Sequence, residues 1–308
     1  MFRESLLQSS LWQAFQEKNG HVCVMGKFGL GIVETLPIVG KYLYLPRGPV
    51  VEKSTIHEEL LRVAEEAKAG WIRVEPESEE TLEVLKQQFG AGSVVEAPHD
   101  VQPREILVMD IQPDESILLA QMKSKTRYNI RLAEKHGVTV RFSRAEKDLE
   151  SFIDLIYTTT NRKAIRPHPK SYYRNFFAAL DESQCVIALA EHKGVIRAAN
   201  LLVFYENAAY YLHGGSSDEG RHLMAPFLLH WESIQEAKQR HCSFYDFGGA
   251  NTRDDQSSWA GITRFKQGFA PTNQTILFPG TYDMILSPWR YRLYQILRVA
   301  QGAKKKFL

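Results

Sequence analysis

The sequence predicts a mixed α/β protein built as two similar halves, each a mixed sheet flanked by helices. Three observations carry this: β-rich segments alternate with amphipathic helical ones, glycines punctuate both, and one order of elements runs twice. With 308 residues, 44% of them hydrophobic and 24% charged, the chain is long enough for two cores.

The first half opens with three short strands at 21–25 (HVCVM), 30–39 (LGIVETLPIV) and 42–45 (YLYL). A helix follows at 54–70, with Glu and Lys outside and a glycine stop, then a strand at 71–75, a helix near 79–89 and a strand at 105–111. The second half repeats strand, strand, strand, helix, strand, helix, strand. Its strands fall at 185–192, 194–205, 208–215, 242–247 and 274–278, and its helices at 222–240 and near 256–268.

Between the halves, residues 116–137 read as one helix. Leu119, Met122, Ile130 and Ala133 share an apolar face, while Arg127, Arg131 and Lys135 are four apart on another. Such a stripe is commonly a solvated face; Lys123 and Lys125 enlarge it into a candidate phosphate-contacting patch. The C-terminal stretch 287–308 is also amphipathic: Trp289, Leu293, Ile296, Leu297 and Ala300 share a face. It reads either as a helix packed on its domain or as a contact with an anionic membrane surface.

No apolar run approaches the ~18 residues of a membrane span. The start, MFRESLLQSSLWQAFQ, has neither the basic nor the apolar region of a secretory signal, so a cytoplasmic protein is expected. Cys23, Cys185 and Cys242 form no CxxC pair and no metal spacing, so reduced core thiols and no metal are expected. A net charge of +2 is unlike a dedicated nucleic-acid binder, and no DNA partner is expected. GxSxG and HExxH are absent.

Several segments point to chemistry. Asp246, Gly248, Gly249 and Asn251 follow a buried strand at its C-terminal end, where α/β sheets place ligands. Tyr211 and His213 alternate on the preceding strand and are expected to face the same way. Lys266 lies between Phe265 and Phe269, which argues for its partial burial. Gly48-Pro49 after Arg47 marks a turn.

Six segments in order together resemble the FemABX family of peptidyltransferases: LLQSSLWQAF (6–15), YLPRGPVVE (44–52), Gln102-Pro103-Arg104, MKSKTRYNIRLAEKHGVTV (122–140), YDFGGAN (245–251) and TRFKQGFA (263–270). The long coiled-coil insertion of some members is absent, so the likeness is to the compact, FemX-like form. The resemblance implies two tandem acetyltransferase-like (GNAT) domains, one of residues 1–106 plus 275–308 and one of 107–274. It also implies transfer of an amino acid from aminoacyl-tRNA to the stem peptide of a UDP-linked or lipid-linked muropeptide. No cofactor is then needed, because the tRNA is itself the co-substrate.

It further implies that Lys266 lies at the reaction centre and that Tyr211 and His213, with Asp246, Gly248 and Gly249, line the substrate cleft. Arg47 would border the acceptor groove, and Arg166 or His168, flanking Pro167, would grip its phosphates. Lys123, Lys125, Arg127, Arg131 and Lys135 would meet tRNA. A lysine expected just after Trp12 is missing, with only Lys18 nearby. The Gly-rich run with which acetyltransferases cradle CoA pyrophosphate is also missing; Gly220-Arg221-His222 is the only candidate. A CoA-dependent acetyltransferase and a non-catalytic RNA- or envelope-binding protein are the alternatives.

Overall fold

The computed structural model describes residues 5–49, 56–162, 166–254, 256–270 and 275–306, with side chains to residue 300. The parts of the 44–52 motif at 50–52 and of the loop at 164–165 lie outside the described residues. In chain order the elements are α1 (Ser10–Lys18), β1 (Val22–Gly26), β2 (Gly29–Leu36), β3 (Gly40–Leu45), α2 (Ile56–Glu66), β4 (Ala69–Val74), α3 (Glu79–Phe89) and β5 (Val94–Glu96). Then come β6 (Glu105–Asp110), α4 (Glu115–Gln121), α5 (Ser124–Lys135), β7 (Thr139–Ser143), α6 (Glu146–Arg162), α7 (Lys170–Ala179), β8 (Cys185–His192), β9 (Val195–Tyr205) and β10 (Ala208–Ser216). The chain closes with α8 (Ala225–Gln239), β11 (Phe244–Gly249), α9 (Ala260–Phe269), β12 (Thr275–Leu277), β13 (Tyr282–Ile285) and α10 (Pro288–Lys306).

The chain divides into two compact units: a central unit, Glu105–Ile276, and a flanking unit made by the segments on either side of it. Their sheets run β1-β2-β3-β4-β13-β5 and β12-β6-β11-β10-β9-β8-β7. Reversing the second and setting β7 aside gives β8-β9-β10-β11-β6-β12, so the two orders correspond strand for strand. The repeated pattern of the sequence is therefore a repeated topology, with an exchange that pattern alone hid. The strand after β5, which is β6, inserts into the central sheet, and the strand after β12, which is β13, inserts into the flanking sheet. The strand expected at 105–111 thus belongs to the other half.

The flanking unit illustrates how local sequence sets its elements. In α2, Ile56, Leu60, Val63 and Ala64 recur at helical spacing and are the buried residues. Ser78 caps α3 by accepting the Thr81 N–H at 3.1 Å, and Gly90 ends it at φ +85°. At its centre the Arg73 guanidinium makes two bonds to Asp283, at 2.7 and 2.8 Å, across the β4–β13 pair. Tyr291 of α10 donates to the same carboxylate at 2.7 Å, fixing the C-terminal helix to the sheet.

In the central unit the single helix expected over 116–137 is two helices. Met122 and Lys123 are extended, at ψ 152° and 142°, and break it. The freed C-terminal carbonyls of α4 are taken by Arg127, whose Nη1 reaches Ala120 O at 3.2 Å and also bonds Met122 O. Arg127 thereby leaves the exposed stripe formed by Lys123, Lys125, Arg131 and Lys135. The helices α6 and α7, not read from the sequence, cover one face of the central sheet, and α8 covers the other with α5 packed on it.

The C-terminal helix also differs from its sequence reading. Tyr291 and Tyr294 are its buried residues, with Leu293 and Leu297 half-buried beside them, whereas Trp289 and Ile296 point outward.

Candidate active site of the central unit

The site is built on the end of β11. The Asp246 carboxylate accepts the Gly248 N–H at 2.6 Å, closing a tight turn in which Gly248 takes φ +71°. The ladder to β6 is bulged there, pairing Asp246 with Val108 and Gly249 with Ile106, so β11 holds one residue more than its partner. This bulge re-aims the Gly249 carbonyl, which accepts the Lys266 ammonium at 2.6 Å.

Lys266 is 6% exposed, on the inner face of α9. Its Nζ stands 5.9 Å from the centroid of the Tyr211 ring. The glycine two residues on has a separate task. A Cβ on Gly268 would meet Thr126 Oγ1 at 2.3 Å, and its carbonyl accepts the Lys123 N–H at 2.9 Å. Gly268 therefore lets α9 lie close to α5, which sets the depth at which Lys266 sits.

Tyr211 and His213 do not face the same way. The β10–β9 register shifts between them, and the residue added there moves the two side chains to opposite sides of the sheet. Tyr211 packs edge-on against His230 of α8 at 4.7 Å, on the side of Lys266. His213 lies among His168, Tyr172 and Tyr173 on the α7 side. There His168 stacks on Tyr172 at 4.0 Å, and burial holds its pKa below the usual imidazole range. Arg166 is exposed.

Arg47 belongs to the flanking unit, where its guanidinium donates to Pro103 O at 2.6 Å and lies 3.5 Å from the Phe278 ring centroid. The Glu75 carboxylate gathers the same loops, accepting the Arg47 N–H at 3.2 Å, the Gln102 N–H at 2.7 Å and the Tyr44 hydroxyl at 2.8 Å. Both the Arg47 turn and the Gln102-Pro103-Arg104 motif therefore hold that unit's loops together, and the Arg47 guanidinium expected to border the acceptor groove is engaged by them.

His230 had not been singled out in the sequence, because one histidine in an apolar helix carries no motif. It is 3% exposed, with Nδ1 3.2 Å from the Tyr245 hydroxyl and Nε2 3.5 Å from the Asn200 amide nitrogen. Burial, and then the nearby Lys266 charge, lower its pKa to about 3, so it is neutral at physiological pH.

Beside these residues opens a cavity of about 390 Å³, with Asn200, Tyr211, His230 and Phe265 in its wall. The first turn of α8, at Met224 to Pro226, also lines it, as do Arg162, Arg197 and Arg221. Arg162 and Arg221 share the Asp218 carboxylate, and Arg197 reaches Glu219 at 3.3 Å. The Arg197 Nε is buried with no hydrogen-bond partner among the described residues, an orphan donor that an anion in the cavity can satisfy. These arginines come from α6, β9 and the turn before α8, so no local motif announces them.

The two glycines that end β10 shape the same wall. A Cβ on Gly214 would lie 2.4 Å from the Tyr211 hydroxyl and 2.6 Å from Asn200 Oδ1, and one on Gly215 would lie 2.6 Å from the Leu155 backbone. Burial raises the thiol pKa of Cys185 to about 12 and of Cys23 and Cys242 to about 11, which leaves all three without thiolate character near neutrality.

The two units share one sheet topology, and the central one holds a cavity beside a buried lysine near the end of its sheet. The chain belongs to the FemAB family, which it matches over residues 78–193 and again over 179–299. It is 23% identical to the lipid II:glycine glycyltransferase of Staphylococcus saprophyticus, covering 82% of this chain and 78% of that one. The Staphylococcus aureus protein of the same name is likewise 23% identical, covering 82% and 79%. The first alignment, 331 positions long, exceeds this 308-residue chain, so the relative carries residues that this chain lacks. Among solved structures, FemX superposes with a TM-score of 0.78 at 21% identity over 95% of both chains. L-PGS from Bacillus licheniformis superposes with a TM-score of 0.58 at 15% identity, over 90% of this chain and 91% of that one.

Proposed function

We propose that this chain is a non-ribosomal aminoacyltransferase that moves an amino acid from aminoacyl-tRNA to the stem-peptide amine of a lipid-linked peptidoglycan precursor. The observation that carries this reading is the Lys266 ammonium, 6% exposed and held at 2.6 Å by a bulge-directed carbonyl beside the cavity wall. In the reaction the acceptor amine attacks the ester carbonyl of the donor. A C–N bond forms, the C–O bond to ribose breaks, and the amine proton ends on the departing ribose oxygen. Negative charge gathers first on the carbonyl oxygen and then on that ribose oxygen. A fixed ammonium stabilises both, and such a donor contributes about 2.7–4 kcal/mol in comparable sites.

The cavity suits the donor's end. Its arginines meet phosphodiesters, its aromatic wall takes a base, and the exposed Lys125, Arg131 and Lys135 of α5 meet phosphates further along the RNA. The relatives' names make glycine the first amino acid to test and a lipid-linked precursor the first acceptor. The test is incubation with mixed charged tRNAs and lipid II, the product read by mass, with acetyl-CoA as the competing donor. Addition of one amino acid from one tRNA supports the reading, and an acetylated product with inert tRNAs overturns it.

A further inference from the structure

We infer that the flanking unit carries a membrane-docking face, formed by α10 and the tip of the β2–β3 hairpin, that rests on an anionic lipid surface. The helix satisfies its fold with one side only: Tyr291 and Tyr294 are buried against Trp71, with Leu293 and Leu297 beside them. Trp289, Ile296 and Val299 lie on the opposite side, 67%, 65% and 74% exposed. At 100° per residue, positions 289, 296 and 299 form one stripe, crossed by the exposed Arg292, and a helix packed on one face has no internal reason to make these outer positions apolar. A tryptophan at the start of such a stripe suits the boundary between headgroups and acyl chains.

The hairpin adds to the same region. Arg290 binds Val39 O, Lys41 O and Lys68 O, each at 2.9 Å, and so ties the hairpin to the first turn of α10. Between Pro37 and Val39, Ile38 sits at φ +70° and is 83% exposed. A β-branched side chain is strained in that conformation, where glycine or asparagine serves a turn better. The fold gains nothing from an isoleucine there, and an apolar surface outside the protein does.

Charge selects the occupant. From Pro288 to Lys306 the helix holds Arg290, Arg292, Arg298 and Lys304 to Lys306, with no acidic residue, in a chain of net charge +2. The exposed Lys41 and Lys68 lie at the backbone positions that Arg290 binds. An apolar stripe within a wholly basic helix matches an anionic bilayer. It is a poor match for a second copy of itself, which would set like charges face to face. This inference goes beyond the proposed reaction, because it concerns a surface and not the reacting groups.

The test uses the full chain and vesicles of phosphatidylcholine with and without about 30 mol% phosphatidylglycerol, with neither donor nor acceptor present, so its outcome is separate from that of the transfer assay. The chain should bind the anionic vesicles, and binding should weaken with added salt. Trp289→Ser with Ile296→Ser should lower the partition coefficient at least about tenfold. Ile38→Gly should lower it several-fold while the melting temperature holds or rises, because the strained residue is gone. Equal binding by parent and variants overturns the inference. So does a parent that dimerises through this face without binding vesicles, or one that binds neutral and anionic vesicles alike.

Discussion

Replacing Lys266 with Met keeps the aliphatic volume of a side chain that is 6% exposed and removes only its ammonium. Two effects on stability oppose each other. The Gly249 carbonyl loses its 2.6 Å partner, which costs about 1–3 kcal/mol if nothing replaces it. Against this, the fold no longer buries a charge, which returns part of that cost. The net change in stability should stay within about 2 kcal/mol, small enough for the variant to fold. The chemical step is different, because among the described residues Lys266 is the cation held against the β11 bulge, where the proposed reaction develops its oxyanion. Turnover should fall about 10²–10³-fold, the effect of removing one preorganised donor. Lys266→Arg keeps the charge but presents a planar fork where a point charge fitted, so it should restore turnover only in part. The assay is single-turnover transfer at saturating donor and acceptor, with melting curves alongside. A Lys266→Met protein that folds and turns over at the parent rate would refute the assignment.

The buried His230, with a pKa near 3, is neutral in the fold but protonates near pH 6.5 once unfolded. Its contribution to stability should therefore be complete above pH 6.5 and fall by about 1.4 kcal/mol per pH unit below it. Urea melts at pH 7 and pH 5 should show a larger loss in the parent than in His230→Gln, where the buried His213, also lowered to about 3, keeps its own contribution; equal losses would contradict it. Arg127→Ala should cost about 1–3 kcal/mol of stability, since the α4 carbonyls lose their donor, and should leave the salt dependence of tRNA binding unchanged. Lys125→Glu with Arg131→Glu should flatten that dependence without a change in melting. Arg197→Ala with Arg221→Ala should raise the donor KM and leave the acceptor KM in place, as steady-state kinetics with each substrate varied would show. Asp283→Asn should cost about 3–5 kcal/mol by stranding the buried Arg73, seen as a lower urea midpoint with an unchanged slope.

Much of this fold was legible because burial imposes period. The strand expected at 185–192 and the helix near 79–89 match β8 and α3, where apolar spacing and a Ser cap agree. What escaped were departures from period. One residue too many in β10 turned Tyr211 and His213 apart, and two extended residues split the helix at 116–137, drawing Arg127 into a cap. The exchange of β6 and β13 between the sheets was hidden from the pattern of elements, because a strand's own sequence does not say which neighbour it pairs with; only the split domain bounds implied by the resemblance pointed that way. At the site, Asp246, Gly248, Gly249, Tyr211 and Lys266 were named in advance, and the bulge draws them together. His230, Asn200 and the three arginines were not, because they meet only through the fold, and the cavity they line belongs to no single segment.

The most direct test of the central claim follows a radiolabelled amino acid from its tRNA. Donor and lipid II are incubated with the chain, and the lipid fraction is extracted and counted against time. Label should move from RNA to lipid. Ribonuclease treatment of the donor should abolish the transfer, and Lys266→Met should slow it by about 10²–10³. Label that stays on the RNA at every time point, with a folded protein and each amino acid tried, would contradict the account.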